Sequence, residues 1–262
     1  MNIDIRNARI EFKNYVKNYN PSDPKIALKI SHIERVSQKA KQLAENLRLN
    51  EEDVKLAELI GILHDIGRFE QIRIYNTFMD KDSVNHAEYG VKVLFEDGLI
   101  RRFIAEDTYD NIIKKAILNH NKGYLDIDKD LNKKELLHTK LIRDADKLDN
   151  FRVKEENKFE DSFPETKDVA GELSNSAMSD VVYNDFLAHK CIKLEDRKTL
   201  IDYWVCILAF IFDLYFKSSL KYIKDKNYID ILIDKIEYKN EETKARMEDI
   251  RKCAKKYIED NI

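Results

Sequence analysis

Apolar residues recur three and four positions apart through most of the chain, which is the spacing of one face of an α-helix. This periodicity predicts helices over residues 3–19, 25–49, 51–64, 84–98, 108–120, 133–149, 176–190, 195–223, 226–238 and 241–260. Ser83 is placed to cap the fourth of these helices. Residues 67–84 and 154–175 lack the periodicity and are predicted to be irregular, and such loops often carry functional residues. The pattern indicates an all-α protein.

Glycine and proline are scarce, with six and three residues among 262. They make up about 3% of the chain, whereas ordinary usage is roughly 12%. Because the many turns of a β-sandwich, a barrel or a doubly wound α/β fold need these residues, their scarcity also favours long helices. Glycine-rich phosphate-binding loops are absent as well. A phosphate ligand would therefore have to be bound by metal ions or by basic side chains.

Charge is nearly balanced, since 46 basic and 49 acidic residues give a net charge of −3. Such a balance provides no general attraction to nucleic acid or to an anionic membrane, so we expect neither as a partner. The most apolar stretch, residues 201–216, is 16 residues long and contains two aspartates. We therefore expect a buried core helix there and not a membrane span.

Cysteine usage favours a cytoplasmic location. Cys191, Cys206 and Cys253 are far apart and odd in number, which is typical of reduced thiols in a reducing compartment. The first residues of the chain also lack the basic start and apolar run of a signal peptide.

Four of the six histidines lie on or near the ends of predicted helices, and His64 is followed directly by Asp65. A second acidic group lies in the run Arg143–Asp149. Taken singly these residues are uninformative, because a lone helical histidine is more often a core or surface residue and acidic groups are usually solvated. Their order along the chain is more informative. It reads His32, His64-Asp65, His86, His120 and Asp146.

This order resembles that of the HD-domain superfamily of metal-dependent phosphohydrolases, and in particular of its two-metal branch. The local sequences are similar too: GILHDIGRF surrounds the His-Asp pair, and NHAEYGVKVL, LNHNKGY and IRDADKLDN carry the later residues. The resemblance spans about residues 26–152 and implies an HD-domain-like helical bundle with a C-terminal helical extension. We accordingly expect residues 1–153 to be the metal-binding core, with residues 154–262 packed on the same domain.

The resemblance also implies a cofactor of two divalent transition-metal ions. His32, His64, Asp65 and Asp146 would surround the first ion, and Asp65, His86 and His120 would hold the second. Histidine nitrogens and carboxylate oxygens suit Fe, Mn, Zn, Co or Ni. A carboxylate can bridge two ions about 3.5–4 Å apart, and metal coordination makes a hydroxide available as the nucleophile.

Arg68 follows His64 by four residues, where the family often has a lysine or arginine that contacts the phosphoryl group. This makes Arg68 a candidate catalytic residue beside Asp65. Lys147, directly after Asp146, is a second candidate for phosphate binding, although a solvated lysine fits this position equally well. Further candidates lie in the segment after the His-Asp pair and could contact either the substrate or the side chains that support the site: Gln71, Asn76, Thr77 and Asp80.

One departure from the family concerns cyclic di-GMP. The branch that cleaves this dinucleotide carries H-H-E and G-Y-P segments, where this chain has Asn119-His120-Asn121 and Gly123-Tyr124-Leu125. The missing residues weaken a specific assignment to cyclic di-GMP and leave the order of the six candidate ligands intact.

The expected function is hydrolysis of a phosphate ester of a nucleotide or related compound, either a monoester or a diester, by a metal-bound hydroxide. A small phosphorylated substrate is the expected partner, and the chain could form a homodimer. Two alternatives stay open. A di-iron oxygenase of the same superfamily would use the same six ligands, and a non-catalytic metal-binding regulatory module is a further possibility, although such modules usually lack ligands.

Overall fold

The structure is a computed structural model and describes residues 3–123, 131–162 and 166–262. These residues are largely helical and none of them forms a strand, so the predicted all-α fold is confirmed. The chain divides into two compact units, Met1–Asp146 and Lys147–Ile262. The packing of residues 154–262 on the core stays a prediction, and Tyr124 and Leu125 lie outside the described residues.

Several helices of the first unit begin at a side chain that caps them. Asp23 and Asn50 precede the second and third helices, and their side chains accept hydrogen bonds from backbone amides of the first turn. The helices are α1 (Ile5–Val16), α2 (Pro24–Asn46), α3 (Glu51–Leu63), α4 (Gly67–Tyr75), α5 (His86–Val91), α6 (Ile100–Phe103), α7 (Asp110–His120) and α8 (Lys133–Glu156), within which the division falls. A 3₁₀ turn over Asp80–Asp82 precedes α5, and a π-helical turn over Lys92–Glu96 follows it.

The prediction that residues 67–84 are irregular is wrong for the first half of this segment, which forms α4. The buried face of α4 includes Gly67 and Gln71, at positions where a periodic pattern would require apolar residues. Hydrophobic spacing therefore does not predict this helix. Its position depends on the elements against which it packs.

Two helix boundaries also differ from the prediction. Asn85, and not Ser83, caps α5, because its side chain accepts hydrogen bonds from two amides of the first turn. Helix α8 continues to Glu156 instead of ending at residue 149. Around its last turn, the ammonium of Lys235 donates to three backbone carbonyls, which satisfies groups that a helix end leaves without partners.

Close backbone packing joins α2 to α3 in the first unit. A Cβ on Gly61 of α3 would lie 2.5 Å from the Cα of Ser37 on α2, so a larger residue would force the helices apart. After the turn that joins α3 to α4, the start of α4 is held by an aromatic group around Phe69, whose ring contacts Phe12, Tyr15 and Tyr19. These contacts position the turn between the two helices, which carries the His-Asp pair.

In the second unit, the single helix predicted over 195–223 is wrong, because the chain breaks after residue 208. A 3₁₀ turn occupies Ala209–Asp213 and Leu214 has extended backbone. The break turns the buried Asp213 carboxylate toward Tyr215 and Lys147, at 2.8 Å from each. The helices of this unit are α9 (Phe159–Ser162), α10 (Val169–Asn175), α11 (Asp180–Leu187), α12 (Leu200–Leu208), α13 (Lys217–Asp225), α14 (Tyr228–Asp234) and α15 (Glu241–Asn261).

Membrane insertion finds no support among the helices. Within residues 3–123, 131–162 and 166–262, none combines the length and the apolar character that a bilayer span requires. The apolar stretch at 201–216 contributes buried residues to the second unit, including Trp204, Val205 and Leu208.

Candidate metal centre

The six predicted ligands lie together in the first unit. Helices α2 and α8 contribute His32 and Asp146 from their interiors, and the turn after α3 contributes the His-Asp pair. The other two histidines are the first residue of α5 and the last residue of α7. All four histidines are at most 5% exposed. Three of the ligands, His64, His86 and His120, therefore lie at helix ends.

Asp65 stands between two pairs of histidines. Its Oδ2 atom is 3.7 Å from the Nε2 atoms of both His32 and His64. Its Oδ1 atom is 3.4 Å from Nε2 of His86 and 3.6 Å from Nε2 of His120. Each carboxylate oxygen therefore faces its own pair of imidazole nitrogens, which is the arrangement that a bridging carboxylate requires.

Asp146 completes the first of these groups. Its Oδ1 atom is 3.1 Å from Nε2 of His32 and 4.0 Å from Nε2 of His64. The candidate ligand atoms of His32, His64 and Asp146 all lie within 4.8 Å of one another, and so do those of His64, Asp65 and His120. Either group is compact enough to surround one ion.

The other ring nitrogen of three histidines is held by an oxygen acceptor. The Nδ1 atoms of His64 and His120 lie 2.8 Å and 2.6 Å from the backbone carbonyl three residues earlier. The Nδ1 atom of His86 lies 2.6 Å from Oδ2 of Asp80. A ring nitrogen that faces an oxygen acceptor carries the proton, so the Nε2 lone pair of each ring points toward the centre, as in metal-ligating histidines.

The chemistry of these donors fits metal ions. The Nε2 atoms of His86 and His120 are only 3.1 Å apart, and two facing lone pairs at that distance repel each other unless a cation lies against both. Within the described residues, Nε2 of His64 and Oδ1 of Asp65 are buried and make no hydrogen bond. Buried polar atoms without partners are costly, and coordination of an ion would satisfy them.

A comparison with known families gives a match over the part of the chain that contains this site. The family model described as HD domain matches residues 30–150, a range that contains all six residues. Residues 30–150 are an HD domain. Neither the curated proteins nor the solved structures give a match to the chain. HD domains belong to a superfamily of largely metal-dependent hydrolases, and the histidine and aspartate groups of this one fit divalent metal ions.

Protonation of the HD domain residues favours metal binding. Burial lowers the pKa of His64 to about 3 and that of His86 to about 4, so both rings are neutral near pH 7. Burial alone would raise the pKa of Asp65, but the neighbouring positive charges of Lys29 and Arg68 contribute to holding it well below its usual range. Neutral imidazoles and an ionised carboxylate are the forms that bind metal.

Arg68 lies beside the His-Asp pair of the HD domain and is held in place by the segment that follows α4. Its Nη1 atom donates hydrogen bonds to Oε1 of Gln71, to Oδ1 of Asp80 and to the carbonyl of Phe78, at 2.7–2.8 Å. Its Nε atom is 3.6 Å from Oδ1 of Asp65. Asp80 therefore joins Arg68 to His86, since its second carboxylate oxygen accepts from that ring.

The other predicted substrate contacts have different surroundings. Gln71 is buried and donates to Asp80 and Ser83, so it supports the segment that holds Arg68. Asn76 accepts from Lys25, and Thr77 accepts from the amide of Met79. Lys147, in the second unit, pairs with Asp213. Substrate binding by Gln71, Asn76, Thr77 and Lys147 stays a prediction.

Sequence reasoning missed Lys29. Its ammonium is 2.6 Å from Oδ2 of Asp65, which is the shortest contact that the structure shows for this carboxylate. Lys29 precedes His32 by three residues on α2, so both share one helix face. That spacing is a signal in the sequence, although a lysine in a helix is so common that spacing alone would not have selected it.

Arg143 is a second missed residue and is fully buried on α8. Its Nη1 atom donates to the carbonyls of Asn119 and Lys122 at 2.5 and 2.7 Å, and its Nη2 atom donates to that of Gly123 at 3.2 Å. These carbonyls surround the end of α7, where His120 is the last residue. The guanidinium therefore helps to fix the position of a predicted ligand through the backbone at the end of its helix.

Replacing Arg143 with methionine is expected to lower the free energy of unfolding by about 3 kcal/mol, because it removes a fully buried guanidinium that donates to the carbonyls of Asn119, Lys122 and Gly123. We also expect roughly tenfold weaker binding of the ion next to His120, as for other residues that orient ligands. Arg143→Lys keeps the charge and should give intermediate values. Urea unfolding and metal titration measure both effects, and unchanged metal affinity in a folded Arg143→Met protein would contradict this role.

Proposed function

We propose that this protein is a dinuclear metal-dependent phosphohydrolase that cleaves a phosphate ester of a nucleotide or related compound. The position of Asp65 is the observation that carries the proposal. One oxygen of this carboxylate faces His32 and His64, and the other faces His86 and His120. A carboxylate with a separate set of nitrogen ligands on each oxygen is suited to bridging two ions.

The ligand set supports this reaction class. His32, His64, Asp65 and Asp146 would hold one ion, and Asp65, His86 and His120 would hold the other. Two divalent ions, when bound, supply a nucleophile at neutral pH and stabilise the charge of a reacting phosphoryl group. Mixed histidine and carboxylate donors are suited to Fe, Mn, Zn, Co or Ni.

Arg68 supports a phosphate substrate in particular. Its side chain is 14% exposed, whereas the side chains of the four histidines are at most 5% exposed, so it is more accessible than they are. Asp80, Gln71 and the carbonyl of Phe78 bind only one of its terminal nitrogens among the hydrogen bonds that the structure shows. An arginine fixed in this way can present its remaining N–H groups to phosphate oxygens.

The test is an assay of the purified chain after loading with each candidate metal. The panel contains nucleoside mono- and triphosphates, dinucleoside polyphosphates and cyclic dinucleotides, and released phosphate and products are measured together with metal content. We expect two ions per chain and turnover of at least one ester, lost on chelation. Two bound ions without turnover of any ester, together with substrate-dependent O₂ uptake, would assign the chain to the oxygenases instead.

A further inference from the structure

Two cationic side chains contact the central carboxylate, one at each oxygen. The ammonium of Lys29 lies 2.6 Å from Oδ2 of Asp65, and the Nε atom of Arg68 lies 3.6 Å from Oδ1. They reach the carboxylate from different elements, because Lys29 is in the interior of α2 and Arg68 is in the first turn of α4. The centre therefore has a positive group beside each of its two histidine pairs.

The aromatic ring of Phe78 lies near both of these cations. The Lys29 ammonium is 5.3 Å from the centroid of the Phe78 ring, and the Arg68 guanidinium carbon is 5.8 Å from it. Both distances are within the range of cation–π attraction. Because the carbonyl of Phe78 also accepts from Arg68, the ring is tied to the segment that positions the guanidinium.

Exposure indicates the side from which a ligand enters. The Lys29 and Arg68 side chains are 15% and 14% exposed, and the four histidines range from 0 to 5%. The two cations are therefore more accessible to an approaching molecule than the imidazoles are, and so are the carboxylates of Asp146 and Asp80, at 19% and 31%. Asp146 is itself a predicted metal ligand, and Asp80 is bound to Arg68 and His86. The two cations favour negative charge on a ligand that binds beside Asp65.

We propose that Lys29, together with Arg68, makes this centre selective for the terminal phosphate of a monoester over a phosphodiester. The proposal rests on the phosphohydrolase function and narrows its substrate class. Lys29 would act by direct contact with a phosphate oxygen. Its ammonium already lies one hydrogen bond from the carboxylate assigned to both ions, and its flexible stem lets it move to an anion bound beside that carboxylate.

The difference in charge between the two kinds of ester carries the selectivity. A phosphomonoester has three unesterified oxygens and a charge of about −1.5 to −2 near pH 7. A phosphodiester has two such oxygens and a single negative charge. The monoester has enough charged oxygens to pair with two ions and two cationic side chains. The diester leaves at least one of these positive groups with a weaker partner.

The test compares two probes that differ in charge and are not consumed by the assay. Inorganic phosphate at about pH 8 carries close to two negative charges, and dimethyl phosphate carries one. Their binding to the metal-loaded full chain is measured by calorimetry for the wild type, Lys29→Met and Lys29→Arg. Metal content per chain is measured in every sample. Lys41→Met is the matched control, because Lys41 also lies on α2 and pairs with a carboxylate of α3, Glu58, at 3.7 Å.

We expect wild type to bind phosphate at least about tenfold more tightly than dimethyl phosphate, as loss of a charge-assisted contact implies. Lys29→Met should lose most of this preference with unchanged metal content, Lys29→Arg should keep most of it, and Lys41→Met should match wild type. An unchanged preference in Lys29→Met would overturn the proposal. So would a loss of metal in that variant, because Lys29 would then serve only to hold Asp65.

The two proposals fail in different ways. A preference for phosphate that depends on Lys29, without hydrolysis of any ester, would support the anion site and refute the phosphohydrolase function. Hydrolysis of monoesters and diesters with equal kcat/KM would support the function and refute the role of Lys29 in selectivity.

Discussion

Replacing Asp65 with asparagine is expected to abolish the dinuclear site. The substitution keeps the size of the side chain and removes the charge that faces all four histidines. An amide is a poor bridge, so we expect no more than one ion per chain. The catalytic rate should fall by at least about 10³-fold, because stabilisation of phosphoryl charge by metal ions contributes several kcal/mol.

Glu58→Gln is the matched control for this substitution. Glu58 is a buried carboxylate on α3 and pairs with Arg9 at 2.7 Å, away from the histidines. It should keep two ions and wild-type turnover even if its stability falls. Elemental analysis and steady-state kinetics on both variants decide the matter, and two ions in Asp65→Asn would show that this carboxylate is not the bridge.

Gly67→Ala is expected to destabilise the protein severely. A Cβ at this position would lie 2.3 Å from the carbonyl oxygen of His86 and 2.5 Å from the amide nitrogen of Gly90. Both are backbone atoms that cannot turn aside, so α5 would have to move relative to α4. We expect a loss of about 3 kcal/mol in the free energy of unfolding, as for severe overpacking.

The same substitution should also weaken metal binding, because α5 carries His86 as its first residue. Gly90→Ala is its control, since the nearest atom to a Cβ there is 3.4 Å away. An alanine in that helix should change stability by no more than about 1 kcal/mol, and its higher helix propensity favours stabilisation. Urea denaturation of the metal-free variants, followed by metal titration, separates the two effects. Equal stability of the two variants would contradict the steric argument.

Hydrophobic spacing was sufficient to predict most helices of this protein, because a long amphipathic helix repeats its pattern over several turns. It was insufficient for α4, whose buried face includes Gly67 and Gln71. It also failed over 195–223, where α12 ends at Leu208 and a 3₁₀ turn with the buried Asp213 precedes α13. In both places a polar residue or a glycine is buried because it contacts a residue that is distant in the sequence.

The contacts that support the site also could not be predicted from the spacing of residues along the chain. Lys29 and Asp65 are 36 positions apart, and Arg143 reaches carbonyls that are 20 to 24 positions away. Asp80 was predicted only as one of several loop residues near the substrate, and the structure shows it bound to both Arg68 and His86. Such pairings depend on which helix faces meet, and a single sequence contains no direct record of that.

The sequence by itself determined the all-α class, through helical periodicity and the near absence of glycine and proline. It also determined which six residues could form the centre, because the order of histidines and aspartates is a property of the chain. Only the tertiary structure decided that Asp65 lies between two histidine pairs, with Lys29 and Arg68 beside it. The physical reason is that residue types determine what a group can bind, whereas helix packing determines which groups meet.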